Sequence, residues 1–404
     1  MRTLVLTAVA IACVAPLTLF GQASTQSTGS FDFSSSGIVF RTADSANAII
    51  MRFRMQNWLT YNTVSTSDLS AASTELVVRR LRLRFGGHAF DPRLTFNLQL
   101  SFSRSDQDYS DTQFPNIVRD AMVFWNFSPR LQVGFGQTKL PGNRQRVISS
   151  GDQEIADRSI VNGAFNLDRD FGLQGFWQPI HGPVIMNLRA AISSGEGRNA
   201  PTISGGGLAY TGRVEILPMG AFLNGGDYFD SDLMREPTPK LSVGVSAQYN
   251  EDMNKTRGEV GKALYAPRTA TVLYADALLK YRGLAVYGEY AQRSADDPIT
   301  VNPSNANEKR AVFVGRGYMA QASYLLPFNL LIGGRYAVTE AGDQLAGLSD
   351  YARATNLAGV LTYYVNGHRI KTNLELGMRT AENLNVPDSE QSSLYGRVNL
   401  EFGI

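Results

Sequence analysis

Cysteine is all but missing from this chain: the one at position 13 lies in the first apolar stretch, and no thiol follows it. Disulfide scaffolds, cysteine nucleophiles and thiolate metal sites are therefore excluded after that point. Histidine is nearly as scarce. His88, His181 and His368 each fall at or beside a predicted tight turn. With no H-E-x-x-H pair, paired-histidine cluster or G-x-S-x-G elbow, a hydrolytic site lacks its usual general base. Acidic pairs such as Asp296-Asp297 read as solvated loop tips or loose cation sites. No metal and no cofactor is expected. Net charge is small as well, a formal +2, which gives no electrostatic case for nucleic acid. Past the N-terminus no apolar run reaches membrane-helix length, and the mean hydropathy of -0.15 taken alone would suit a soluble protein.

The N-terminus, MRTLVLTAVAIACVAPLTLFGQA, sets Arg2 before an apolar run that ends in Gly21-x-Ala23. Residues 1–23 read as a secretory signal peptide with a small-x-small cleavage site. Ala10-Ile11-Ala12 is a poor lipoprotein match, and the apolar run continues past Cys13 to Phe20. Residues 24–47, rich in Ser, Thr and Gly, read as a flexible lead-in.

From residue 48 to 404 the chain alternates. Ile49, Met51, Phe53 and Met55 share one face, with Arg52, Arg54 and Gln56 on the other. Leu81, Leu83 and Phe85 alternate with Arg80, Arg82 and Arg84, and Leu94, Phe96, Leu98, Leu100 and Phe102 with small polar residues. Strict alternation means that one face meets an apolar phase and the other meets water. Such segments recur about sixteen times, an even number that fits a transmembrane antiparallel β-barrel. The gaps sort by parity. Even ones are tight, as at Asp91-Pro92, Ser128-Pro129, Arg282-Gly283 and Asn366-Gly367, whereas odd ones are long and polar. Short periplasmic turns and long outer loops have that asymmetry; a soluble sandwich does not. One even gap, 219–238, breaks the rule, and the sequence offers no reason for it.

The third odd gap, 140–168, is the longest and mixes charges: Arg144, Arg146 and Arg158 lie among Asp152, Glu154, Asp157 and Asp168. A loop of this length is usually functional or disordered. In a wide barrel it can fold inward and narrow the lumen, so it is the candidate constriction loop. An exposed surface loop is the alternative.

Several stretches then align with a known family in order and spacing. They are Gly136-Gln137-Thr138-Lys139-x-Pro141, Asp157-Arg158-Ser159, Arg169-Asp170-Phe171-Gly172, AISSGEG (191–197), Gly212-Arg213-Val214 up to Pro218, and YYVNGHRIK (363–371). The chain resembles the phosphate-selective porin O and P family of Gram-negative outer membranes. The resemblance implies a homotrimeric porin of sixteen strands in the outer membrane, with a third loop that constricts the channel. It also implies basic side chains that guide anions inward.

Carried through the strands, the alternation turns Arg52, Arg54, Arg80, Arg82, Arg84, Arg189, Arg213, Lys280, Arg335, Lys371, Arg379 and Arg397 into the lumen. It turns Asp120, Glu215, Asp276, Glu289, Glu375 and Glu401 inward with them. A wall biased to positive charge by roughly two to one prefers anions, and the guanidinium fork suits phosphate or carboxylate. Lys139, Arg144, Arg146 and Arg158 are the best candidates at the constriction itself. The expectation is passive diffusion of small hydrophilic or anionic solutes through a barrel whose outer wall meets membrane lipid. A general, non-selective porin and an outer-membrane barrel enzyme stay open as alternatives, and so does the reading of these arginines as partners of nearby acids.

Overall fold

The computed structural model describes residues 29–34, 37–106, 116–203 and 205–404; the expected signal peptide lies outside them. A hairpin, β1 (Ser30–Ser34) and β2 (Gly37–Arg41), comes first. The wall then runs through β3 (Ala48–Thr63), β4 (Ala71–Ala89), β5 (Asp91–Ser101), β6 (Val118–Ser128), β7 (Leu131–Lys139) and β8 (Arg169–Ile180). It continues with β9 (Ile185–Ser193), β10 (Ala209–Leu217), β11 (Lys240–Lys255), β12 (Ala263–Tyr281) and β13 (Leu284–Ala295). A small loop hairpin, β14 (Ile299–Asn302) and β15 (Asn305–Ala311), precedes β16 (Gly315–Leu325) and β17 (Leu330–Ala341). The last strands are β18 (Ala352–Asn366), β19 (Ile370–Asn383) and β20 (Gln391–Gly403).

Among the described residues, sixteen of these strands make one closed antiparallel barrel. Each pairs with the next, and β20 returns to β3 from Tyr395↔Asn62 to Gly403↔Arg54. Closure removes the unpaired backbone edge that hydrocarbon would not tolerate. The outward side of each strand carries the apolar set. Phe135, Leu173, Leu273, Leu357 and Leu376 are exposed there. Tyr210 faces Tyr249 and Tyr290 faces Tyr318 toward the outer rim, where amphipathic rings suit the headgroup level.

Two segments differ from the sequence expectation. Part of the supposedly flexible lead-in is ordered: β2 pairs with β3 from Ile38↔Met51 to Arg41↔Ala48, directly beyond the point where β20 stops. The stretch looks polar and low in complexity, but Ile38, Val39 and Phe40 give it a strand core. Gly37 is fixed by this contact, since its φ is +120° and a Cβ would lie 2.5 Å from the Met51 carbonyl oxygen.

The long inner gap also has a structural account. Residues 218–239 fold up into the lumen instead of dangling from the rim. The Lys280 ammonium on β12 donates to the carbonyls of Gly226, Phe229 and Ser231 at 2.7, 2.8 and 2.7 Å. Arg235 donates to the Leu325 carbonyl at 2.9 Å, and Phe229 stacks on His368. A segment with this many inward partners needs more residues than a tight turn holds.

Candidate functional site

The wall leaves β7 at Lys139 and returns at Arg169, and between them residues 140–168 cross the lumen. Two short helices, α1 (Arg144–Val147) and α2 (Ile160–Phe165), brace the segment. Ser159 caps α2 by accepting from the Asn162 amide. Its apolar side chains, Leu140, Val161, Phe165 and Leu167, are fully buried against Tyr274, Leu278, Tyr287 and Met319 of the opposite strands. Gly317 makes room for this packing: a Cβ there would sit 2.9 Å from the Phe165 ring.

Polar contacts hold the segment to the same side. Arg144, with no exposed side-chain surface, donates to Asp276 at 2.6 Å, to Glu215 at 2.5 Å and to Ser242 at 2.6 Å. Asn143 donates to Glu289 at 3.0 Å. Farther along, Glu154 accepts from Gln321 at 2.7 Å and Ser323 at 2.6 Å. The Lys371 ammonium takes the Gly151 and Gln153 carbonyls at 2.6 and 2.5 Å. The Asp230 amide of the lower inward segment meets the Asp152 carbonyl at 3.1 Å, so the two inward segments touch.

The opposite side of the lumen stays open. A cavity of about 160 Å³ there is lined by Arg79, Arg80, Arg82, Arg119, Lys139, Arg146, Arg158, Arg169 and Arg198, with Asp106 and Asp168. Two of these arginines reach the lumen against the alternation. Gln56 pairs with Arg80 and Asn57 with Val78, so Arg79 is an extra, bulged residue. Gln99 pairs with Asp120 and Leu100 with Val118, so Arg119 is another. A bulge sets two residues against one and re-aims a side chain; each of these adds an arginine to the cavity lining.

The acids of this ring are outnumbered. Asp106 takes Arg82 and Arg79, Asp168 takes Arg146, Arg169 and Arg198, Asp157 takes Arg79 and Arg80, and Asp120 takes Arg169. Nine basic groups stand against these four acids among the described residues. Lys139 and Arg158 donate to neutral backbone instead: Lys139 to the Val147 carbonyl at 2.9 Å, and Arg158 to those of Gln145 and Ile148, both at 2.8 Å. Burial disfavours ionised Asp157 and Asp168, yet the guanidiniums around them outweigh it and hold both carboxyls well below their usual range. Arg158 goes the other way. Burial, then repulsion from Arg146 and Arg80, pulls its guanidinium well below the ordinary arginine value.

A family model described as phosphate-selective porin O and P matches residues 51–397. The chain belongs to that family. It is an outer-membrane porin. Solved structures share its fold at low identity. An anion-selective porin from Comamonas acidovorans aligns at TM-score 0.54 and 12% identity, covering 89% of this chain and 100% of that one. The outer membrane channel DcaP of Acinetobacter baumannii aligns at TM-score 0.53 and 11% identity, covering 92% and 99%. A trimer form of OmpT from Vibrio cholerae aligns at TM-score 0.51 and 10% identity, covering 89% and 100%. A search of curated proteins by sequence finds no match.

Within this porin the sequence candidates divide. Lys139, Arg146, Arg158, Arg80 and Arg82 meet at the open cavity. Arg144 does not, because its ion pairs with Glu215 and Asp276 bury it in the opposite wall. Arg213 is tied to the same Asp276 at 2.6 Å, and Arg335 is buried with a bond to the Asp157 carbonyl at 2.9 Å. Arg54 donates to Ser150 at 2.6 Å and stands in register with Arg82 of the cavity. Arg52 and Arg84 face each other in register below it and remain exposed. Alternation missed Arg79 and Arg119 because of the bulges. Arg169, the first residue of β8, was not among the site candidates, and Arg198, on the 194–208 loop, carried no strand signal.

Proposed function

We propose that this porin passes small hydrophilic solutes by passive diffusion and prefers anions, with phosphate-like oxyanions held by the guanidiniums at the narrowest point. The cavity ringed by nine basic side chains carries the reading. Like charge is repelled and counter-ions are concentrated where low-dielectric walls focus the field. The planar fork of arginine offers parallel donors to an oxyanion. Lys139 and Arg158, held by neutral carbonyls, contribute the least compensated charge. Residues 140–168 act here as the constriction, with Arg146 and Arg158 on their open edge. Arg52 and Arg84 lead away on the periplasmic side. The anion-selective porin among its structural neighbours and the neighbour seen as a trimer agree with an anion-preferring homotrimer.

The test is the reversal potential in a planar bilayer under a potassium chloride gradient. Wild type is expected to give an anion-signed potential, and Arg146→Gln/Arg158→Gln one that moves toward zero. A wild-type potential near zero would mean a general porin instead.

A further inference from the structure

Trp58 lies on β3 facing inward, a residue only 7% exposed. Among the described residues its indole N–H has no hydrogen-bond partner. What surrounds it is cationic. The guanidinium of Arg397 on β20 stands 4.2 Å from the ring centroid, and those of Arg79 and Arg80 on β4 stand 5.0 and 5.8 Å away. The stack continues upward, since Arg397 and Arg379 also lie over Tyr395 at 5.6 and 4.1 Å.

Three guanidiniums around one ring repel one another, and each long side chain loses rotamer freedom when it is fixed. The negative face of an indole offsets both costs. The bulge sharpens the need. It frees Arg79 from the alternation that aims its neighbours, so backbone register alone does not choose its direction. Arg79 and Arg80 nonetheless both reach Asp157 on the inward segment, at 3.5 and 2.9 Å.

We infer that Trp58 is a positioning residue of the passage: it leaves the solute untouched and holds Arg79 and Arg80 toward the cavity. The inference rests on the anion reading above. It separates a stacking role from simple space filling, because phenylalanine keeps an aromatic face, whereas leucine and methionine keep only apolar bulk.

The experiment compares wild type, Trp58→Phe, Trp58→Leu and Trp58→Met in planar bilayers. It reads the chloride-to-potassium permeability ratio and the inorganic phosphate concentration that halves the chloride current. Heat-modifiable mobility on gels checks that each barrel is folded. The phenylalanine variant should stay near wild type. The leucine and methionine variants should lose about threefold or more in both readouts, the scale of one lost cation–π contact, while conductance in concentrated salt holds. Equal selectivity in all four folded proteins would leave Trp58 as filler and overturn the inference while the anion reading stood. An unselective wild type would overturn both.

Discussion

Arg144 and Arg158 stand fourteen positions apart on one segment and meet opposite fates. Arg144 faces a wall that supplies Glu215 and Asp276, and is wholly enclosed by them. Arg158 faces a wall that supplies Arg79, Arg80 and Arg82, and finds its hydrogen bonds in its own backbone. The lumen is therefore divided. One flank is acidic and apolar and is filled by the inward segment; the other is basic and open. Net charge over the whole lumen conceals this sorting, since Glu215, Asp276 and Glu289 all lie on the filled flank.

Breaking the sealed flank should have the largest effect. Arg144→Met removes the buried cation shared by Glu215 and Asp276, leaving Asp276 to Arg213 and Glu215 to Arg189 and Tyr228, which costs about 3–5 kcal/mol. Thermal unfolding in detergent should show that loss, and single-channel conductance should rise as the segment loosens. A variant as stable as wild type would show that apolar packing alone seats the segment.

Glu154 tests the same flank by pH. Burial, then the nearby Asp230, raises its carboxyl from the ordinary 4.5 to about 7. The folded state thus holds the proton more tightly than the unfolded chain. Stability from this group is greatest below about pH 4.5, falls as pH rises to about 7, and is level above that, by about 3 kcal/mol in all. Unfolding of Glu154→Gln should show a flatter slope over this window and greater stability than wild type at pH 8.

The lower inward segment comes next. Lys280→Met removes three donations to its carbonyls and should cost about 2 kcal/mol. Limited proteolysis should then cut within 218–239 faster than in wild type. The smallest change in stability belongs to the open flank. Arg158 is already disfavoured by burial and by its like-charged neighbours, and Asp168 keeps Arg169 and Arg198 when Arg146 is lost, so Arg146→Gln/Arg158→Gln should cost only about 1–2 kcal/mol even as its ion preference falls. If that double variant proved as unstable as Arg144→Met, the contrast between the flanks would collapse.

Much of this architecture was legible in the residues. Alternation gave the strands because each has an apolar and a wet side. The site was only half legible. Arg80 and Arg82 obey the period of two, but Arg79 and Arg119 sit at bulges, where one extra residue changes the period without leaving a signature in composition. Whether a loop arginine meets acids or other arginines depends on which strands it crosses. Contacts between residues 144 and 276, or 154 and 321, have no local cause. The ordered hairpin at 30–41 was hidden by its polar neighbours, and the long inner gap by the expectation that periplasmic turns are short.

The pairing at the seam sets an order of events. Residues 54–62 find their partner strand only in residues 395–403, so the wall cannot be zipped shut until more than three hundred intervening residues have been delivered to the membrane. Until then one side of β3 is an open template. The hairpin β1–β2 occupies the lower part of that edge from within its own neighbourhood, needing only a short loop to close. A segment that forms early can thus guard the first strand at the rim and leave the final strand a shorter stretch to find.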